Sequence, residues 1–375
     1  MMETEPVAPL LNRRGFLRYA LALLSGPAWA QTGDQAGPRL LAPVSCKGKH
    51  YLAVSDDPTA APRLIPTPMR GHALLLDARH PDEVLMIARR PGTLAVRVSL
   101  QAGSVIQTWD AGEDRHFFGH ACLSADGRYI FVAENNIETG QGVISVRDGR
   151  SFAVLQEYPS HGIGPHELLL LPDGHTLAVA NGGVSTLPET GRVKLNRGRF
   201  DSNLAYVDSR NGRLIDRQPV MMPQLSLRHL ALAADGTVAA ALQYEGDRQQ
   251  AGVPLVAIHR PGKSMMLAHA PQAAWDAMHH YAASIAYDAH DRLFVISCPL
   301  GNQLAYWSVN GDFVGMMEIP KVSGIAFTKK GGYASNEHGA LLALDLSQPA
   351  AQAVQQQVGW MWDNHLYPGT ADPGA

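Results

Sequence analysis

The feature that most constrains this chain is a motif that recurs along its length. Residues 119–134, 165–181 and 228–243 each run through a short apolar strand, an Asp-Gly turn and a second apolar strand. The turns are Asp126-Gly127, Asp173-Gly174 and Asp235-Gly236. Asp-Gly between apolar runs is a strong hairpin signal, because both residues tolerate positive φ. Looser copies begin at Gly71-His72, Ser284 and Gly324, and Asp363-Asn364-His365 stands one step further on. One such unit cannot bury its apolar face alone. Stacked units of about 40–50 residues with four short strands each form the blades of a β-propeller. The last copy has room for one strand before the chain ends, and residues 51–55 and 63–66 near the other end are strand-like. The expectation is an all-β, seven-bladed β-propeller whose last blade is closed by N- and C-terminal strands, which removes free sheet edges. Six blades, or a two-domain β protein, are the alternatives.

Blade geometry sorts the polar residues. The first strand of a blade lies nearest the central channel, and the loop entering it opens on the same face as the loop leaving the second strand. His72, His120, His166, His229 and His365 stand at first-strand starts, with Arg70, Arg115, His116, His161 and Arg228 just before them. Arg89, Arg90, Glu134, Asn181 and Glu245 stand where second strands end. The turns on the opposite face are plainer. A ring of neutral imidazoles suits iron, copper or zinc. Arginine can hold a carboxylate or phosphate through paired hydrogen bonds, and a glutamate can ligate or act as a base. The expected metal- or ligand-binding residues are therefore His72, His120, His166, His229 and Glu134. Arg115 and Arg228 are the expected anion holders. His116, His161, Asn181, Glu245 and His365 are additional candidates. A repeated histidine can instead tie a loop to the neighbouring blade through its ring nitrogens. No H-x-H, H-E-x-x-H or G-x-S-x-G spacing occurs, so no catalytic residue is assigned from a motif.

The first 30 residues read differently from the rest. Arg13-Arg14-Gly15-Phe16-Leu17 precedes an apolar stretch and then Ala28-Trp29-Ala30. That order is a twin-arginine (Tat) signal peptide cleaved after Ala30. It predicts export to the periplasm and a single propeller domain over residues 31–375. Such cargo crosses the membrane folded, which suits a cofactor loaded in the cytoplasm. No later stretch reaches about 18 apolar residues, so the mature chain is expected to have no transmembrane segment. Lys and Arg total 31 against 34 Asp and Glu, a formal net charge of −3, which gives no reason to expect nucleic acid as a partner. Cys46, Cys122 and Cys298 are widely spaced without C-x-x-C, and are expected to be free thiols, with one disulfide as the alternative.

Several segments carry a family resemblance. They are Arg115-His116-Phe117-Phe118-Gly119-His120, residues 134–148, residues 160–174, Asn181-Gly182-Gly183, Arg228-His229 and Gln243-Tyr244-Glu245-Gly246. Through them nearly all of the mature chain resembles the bacterial family known as domain of unknown function 1513. The resemblance implies an exported propeller-like protein with no established reaction. Relatives often sit beside imelysin-like and dihaem cytochrome-type proteins, which implies periplasmic iron-handling partners. Gly164-Pro165-His166 and Arg228-His229 are also similar to the propeller lactonases, which implies hydrolysis at the same channel mouth. The leading expectation is a periplasmic propeller that binds a transition metal, iron above all, or an anionic metal chelate, and serves iron uptake. The alternatives are a lactonase-like hydrolase, with Glu134 or a histidine as base and Arg228 at the oxyanion, and a protein-interaction scaffold.

Overall fold

The computed structural model describes residues 38–186, 193–196, 200–348 and 350–369. They form seven antiparallel sheets. Six are four-stranded meanders in chain order, whose first strands are Gly71–Leu76, Arg115–Leu123, Pro165–Leu170, Leu225–Leu232, Ser284–Asp288 and Val322–Thr328. These first strands touch one another around the ring and line its centre. The Asp-Gly turns form as read, with Gly127, Gly174 and Gly236 at φ of 62°, 75° and 84°.

The seventh sheet draws on both ends of the chain. Leu40–Cys46, Lys49–Ser55 and Arg63–Thr67 supply its middle and outer strands. Trp360–Trp362 and Tyr367–Pro368 lie on the inner side of Leu40–Cys46 and pair with it. The blade count is therefore seven, closed by terminal strands, and the six-blade and two-domain alternatives fall away. Among the described residues the one helix is a short turn, Gln272–Ala277, between the fourth and fifth blades. No helix among the described residues is long and apolar enough to cross a membrane.

Packing between blades follows from strand alternation. Apolar side chains of adjacent sheets share one core, as where Leu242 and Ile258 of the fourth blade lie with Ile296 and Ala305 of the fifth, and Trp307 stacks on Trp275 of the short helix at 5.2 Å. Each fully buried Leu, Val or Phe contributes about 1.5–3 kcal/mol. Fourth strands lie at the rim and show apolar residues to solvent, as at Val154 and Leu155. Cys46, Cys122 and Cys298 are all free thiols. Burial pushes the Cys122 and Cys298 thiols up, which keeps them unreactive.

One irregularity positions the site. The pairing of first with second strand slips between Gly71 and Leu74, Phe117 and Ala121, Pro165 and Glu167, Leu227 and His229, and Val322 and Ile325. Extra residues at such bulges bend the strand and re-aim a side chain. The first four slips hold or adjoin His72, His120, His166 and His229. The fifth blade pairs in unbroken register from Ser284 to Asp288, and it carries no histidine there.

Candidate metal centre

Five imidazoles from five blades meet in the channel. His72, His120, His166, His229 and His365 are between 2% and 8% exposed. Around the ring, centroids lie 4.8 Å apart for His72–His120, 5.4 Å for His120–His166, and 4.6 Å for His166–His229, His229–His365 and His365–His72. Across it, His72 lies 6.0 Å from His166 and 5.9 Å from His229, and His120 lies 5.2 Å from His229 and 4.8 Å from His365. These cross distances are shorter than a flat pentagon of such sides allows. The rings are staggered along the channel into a cage. One ligand atom each from His72, His120, His229 and His365 falls within 4.8 Å of the others.

Four of the five rings have a polar neighbour at Nδ1. His72 Nδ1 donates to Asp363 Oδ1 at 3.2 Å. His229 Nδ1 donates to Glu167 Oε2 at 3.2 Å, and His120 Nδ1 lies 3.4 Å from Glu167 Oε1. His365 Nδ1 faces Ser284 Oγ at 3.5 Å. A carboxylate on Nδ1–H fixes the tautomer and leaves Nε2 with its lone pair for the cage. Nε2 of His120 and His365 and Nδ1 of His166 are buried without a hydrogen-bond partner. Leaving a buried polar atom unsatisfied costs about 1–3 kcal/mol. Two of them, on His120 and His365, belong to rings of the converging group of four, an arrangement that a cation would satisfy.

Electrostatics favour the ligating form. Burial lowers the pKa of His72, His166 and His365 well below the usual imidazole value, and of His229 to about 4, so these rings are neutral near pH 7. Burial opposes ionisation of Glu167, but His120 and His229 overcome it and hold the carboxylate well below its usual range. Burial likewise opposes ionisation of Asp363, and Arg89, His72 and Arg70 outweigh it. Arg70 Nε reaches Asp363 Oδ2 at 2.8 Å, and Arg89 binds Oδ1.

Local sequence explains the fit. Glu167 follows His166 directly, and strand alternation alone would put the two on opposite faces. The slip at His166 breaks that alternation, and Glu167 reaches the histidines of both flanking blades. The backbone N–H of Leu230 also donates to Glu167 Oε2 at 2.9 Å. Gly119 has φ 108°, and a Cβ there would lie 2.6 Å from His72 Cδ2. A Cβ on Gly324 would lie 2.8 Å from the His365 backbone carbon, so the sixth blade is hollowed for the C-terminal segment.

Other expected site residues sit elsewhere. Glu134 lies in a buried ion pair instead of the cage: Arg147 donates to its Oε1 at 2.7 Å, and Ser145 binds the same oxygen. Arg147 in turn stacks over Phe152 at 4.6 Å and Phe117 at 5.4 Å. Arg115, expected to hold an anion, is taken by Glu157 at 2.9 Å and by Asp114. Arg228 is 1% exposed, with Nη2 3.5 Å from Glu245 Oε1, and Glu245 also pairs with Lys194. His161 bonds the Gly212 carbonyl at 3.0 Å, which ties its loop to the next blade. His116 is buried against Phe118 at 5.2 Å. Asn181 clips Ser160 to Asn203. Arg13, Arg14 and Ala30 lie outside the described residues. Glu167 and Asp363 escaped the sequence reading. Their one signal was adjacency, Glu167 beside His166 and Asp363 two residues before His365.

Fold and site together define a seven-bladed propeller with a buried histidine cage braced by two carboxylates. The chain belongs to the family of proteins of unknown function DUF1513, whose model matches residues 65–368 and so spans every cage residue. A search of curated proteins found no match. Among solved structures, the periplasmic gluconolactonase PpgL of Pseudomonas aeruginosa superposes with a TM-score of 0.61 at 18% identity, covering 87% of this chain and 97% of that one. Hydrazine synthase of Kuenenia stuttgartiensis superposes with a TM-score of 0.58 at 13% identity, covering 83% and 90%. These are likenesses of fold.

Proposed function

We propose that the cage is a transition-metal centre built on neutral imidazoles and that metal binding is this protein's function. The observation that carries this is the set of buried, partnerless ring nitrogens on His120, His365 and His166, in a cage where His72, His120 and His229 are held at Nδ1 by carboxylates. An all-imidazole donor set suits iron, copper or zinc. Glu167 and Asp363 raise ligand basicity from the second layer and offset the charge of a divalent ion. Rings 4.6–6.0 Å apart suit a bare ion better than a chelate. Iron is the first candidate because of the iron-handling neighbours that the family resemblance implies, and those proteins are the partners to test. Export through Arg13 and Arg14, with cleavage after Ala30, would let the ion load before the folded protein reaches the periplasm. In the hydrolase reading Glu134 is taken up by Arg147 and Ser145, which leaves a histidine as its base.

The test is metal analysis of untagged protein taken from its native compartment. Mass spectrometry should find a stoichiometric transition metal that is lost in the His120→Ala/His365→Ala double variant. A folded protein that arrives without metal and refuses added iron, copper and zinc would sink the reading and leave the lactonase-like hydrolase and the scaffold.

A further inference from the structure

The five histidines are not equivalent. His72, His120 and His229 are held at Nδ1 by Asp363 or Glu167, and His365 faces Ser284 Oγ. His166 has no such brace, and its Nδ1 is buried without a hydrogen-bond partner. It also stands outside the group of four whose ligand atoms cluster within 4.8 Å. Its separations from His120 (5.4 Å) and His72 (6.0 Å) are among the widest in the cage. Second-layer hydrogen bonds orient a ligand and strengthen its bond to the metal, so the ligand without one is the easiest to displace.

Two arginines bear on that position. Five neutral donors bring no charge to a bound divalent ion, so its charge is offset only from the second layer, by Glu167 and Asp363. Arg228 adjoins His229 in the chain, and Arg90 lies over Phe118 at 5.7 Å. The charges of both bear on His166, beyond the effect of its burial. Glu167, the carboxylate that follows His166, is already engaged by His120, His229 and the Leu230 N–H. A metal in a positive surrounding gains most from an anionic ligand.

Resting on the metal reading above, we propose that His166 is the exchangeable ligand of a four-plus-one histidine centre and that a small anion takes its place on the metal. The exchange breaks one metal–imidazole bond and forms one metal–anion bond, with no change of oxidation state. The freed imidazole stays neutral. The ligand class is a compact monoanion with a nitrogen or oxygen donor, of the size of azide, nitrite or formate.

The experiment uses cobalt(II)-substituted full-length protein, whose visible bands report ligand changes, with azide as the probe. His166→Ala should keep cobalt within about tenfold of the wild-type affinity, whereas His120→Ala should lose about 100-fold or more. Azide should shift the wild-type bands and should bind His166→Ala at least about tenfold more tightly, because no imidazole competes there. Two results overturn the inference: loss of cobalt by His166→Ala as complete as that of His120→Ala, or bands in wild type and His166→Ala that azide leaves unchanged. Failure of the wild-type protein to take up cobalt at all would instead overturn the metal reading beneath it.

Discussion

Glu167 does more for the cage than its place in the chain suggests. One carboxylate braces His120 from the second blade and His229 from the fourth, and it also takes the Leu230 N–H. Glu167→Gln keeps the shape but replaces one acceptor oxygen with a donor amide. One of the two imidazoles then loses its brace and with it the fixed tautomer. Metal affinity should fall about 10–100-fold, read by competition against a chelator of known strength, while far-ultraviolet circular dichroism stays as in wild type. Unchanged affinity would mean that Glu167 only fills space. Asp363 is the counterpart on His72, with Arg70 and Arg89 on its oxygens. Glu134 shows the opposite case. Its position at a second-strand end suggested a ligand, yet a buried arginine two residues beyond Ser145 claims it. Nothing local in the sequence reveals that pairing, because Arg147 lies on the third strand and meets Glu134 only once the sheet has formed.

The innermost strand of the last blade is broken. Trp360–Trp362 and Tyr367–Pro368 pair with Leu40–Cys46, and residues 363–366 between them leave the ladder. That excursion delivers Asp363 and His365 to the channel, over the hollow left by Gly324. The Asp363 N–H still holds the Pro43 carbonyl at 3.0 Å, so the excursion stays tied to the N-terminal strand. A metal in the cage would therefore clasp the C-terminal strand to the first four blades. An ion at about 100 times its Kd adds about 2.7 kcal/mol to the folded state. Thermal melts should show a clear rise in Tm on metal addition to wild type and almost none in His365→Ala. In wild type, hydrogen exchange should slow on metal loading across residues 360–369. Equal rises in both proteins would place the bound ion elsewhere. Bulges serve the other four histidines in the same way, and a bulge leaves little mark in a one-dimensional pattern. Slippage by a residue is a matter of pairing partners, and so of neighbouring strands.

Across the molecule, burying this many imidazoles makes stability depend on pH. Burial lowers His72, His166 and His365, and takes His229 to about 4, against about 6.5 in the unfolded chain. Below pH of about 6.5 the unfolded chain binds protons that the folded metal-free protein refuses, so stability falls until the folded values are reached. His229 alone accounts for about 3 kcal/mol of that loss, at 1.36 kcal/mol for each pH unit. Glu167 and Asp363 add to it at lower pH, because their stabilisation is present above the unfolded carboxylate value and is lost as pH falls through their depressed folded values. Urea midpoints of the metal-free protein should therefore drop between pH 7.5 and pH 4.5. A flat profile would mean that the rings are hydrated or already charged.

Repeats of apolar strand, Asp-Gly and apolar strand were enough to set the architecture: seven blades, closure by the two ends, and histidines at matching blade positions. Those are local properties, written in turn chemistry and alternation, and they survive being read one segment at a time. The meeting of five rings, the bracing by Glu167 and Asp363, the withdrawal of Glu134 and Arg115 into ion pairs, and the unequal standing of His166 are properties of pairs far apart in the chain. They depend on which residues the bulges turn inward and on which charges close packing brings together. Both are decided by distances that exist only after the ring has closed.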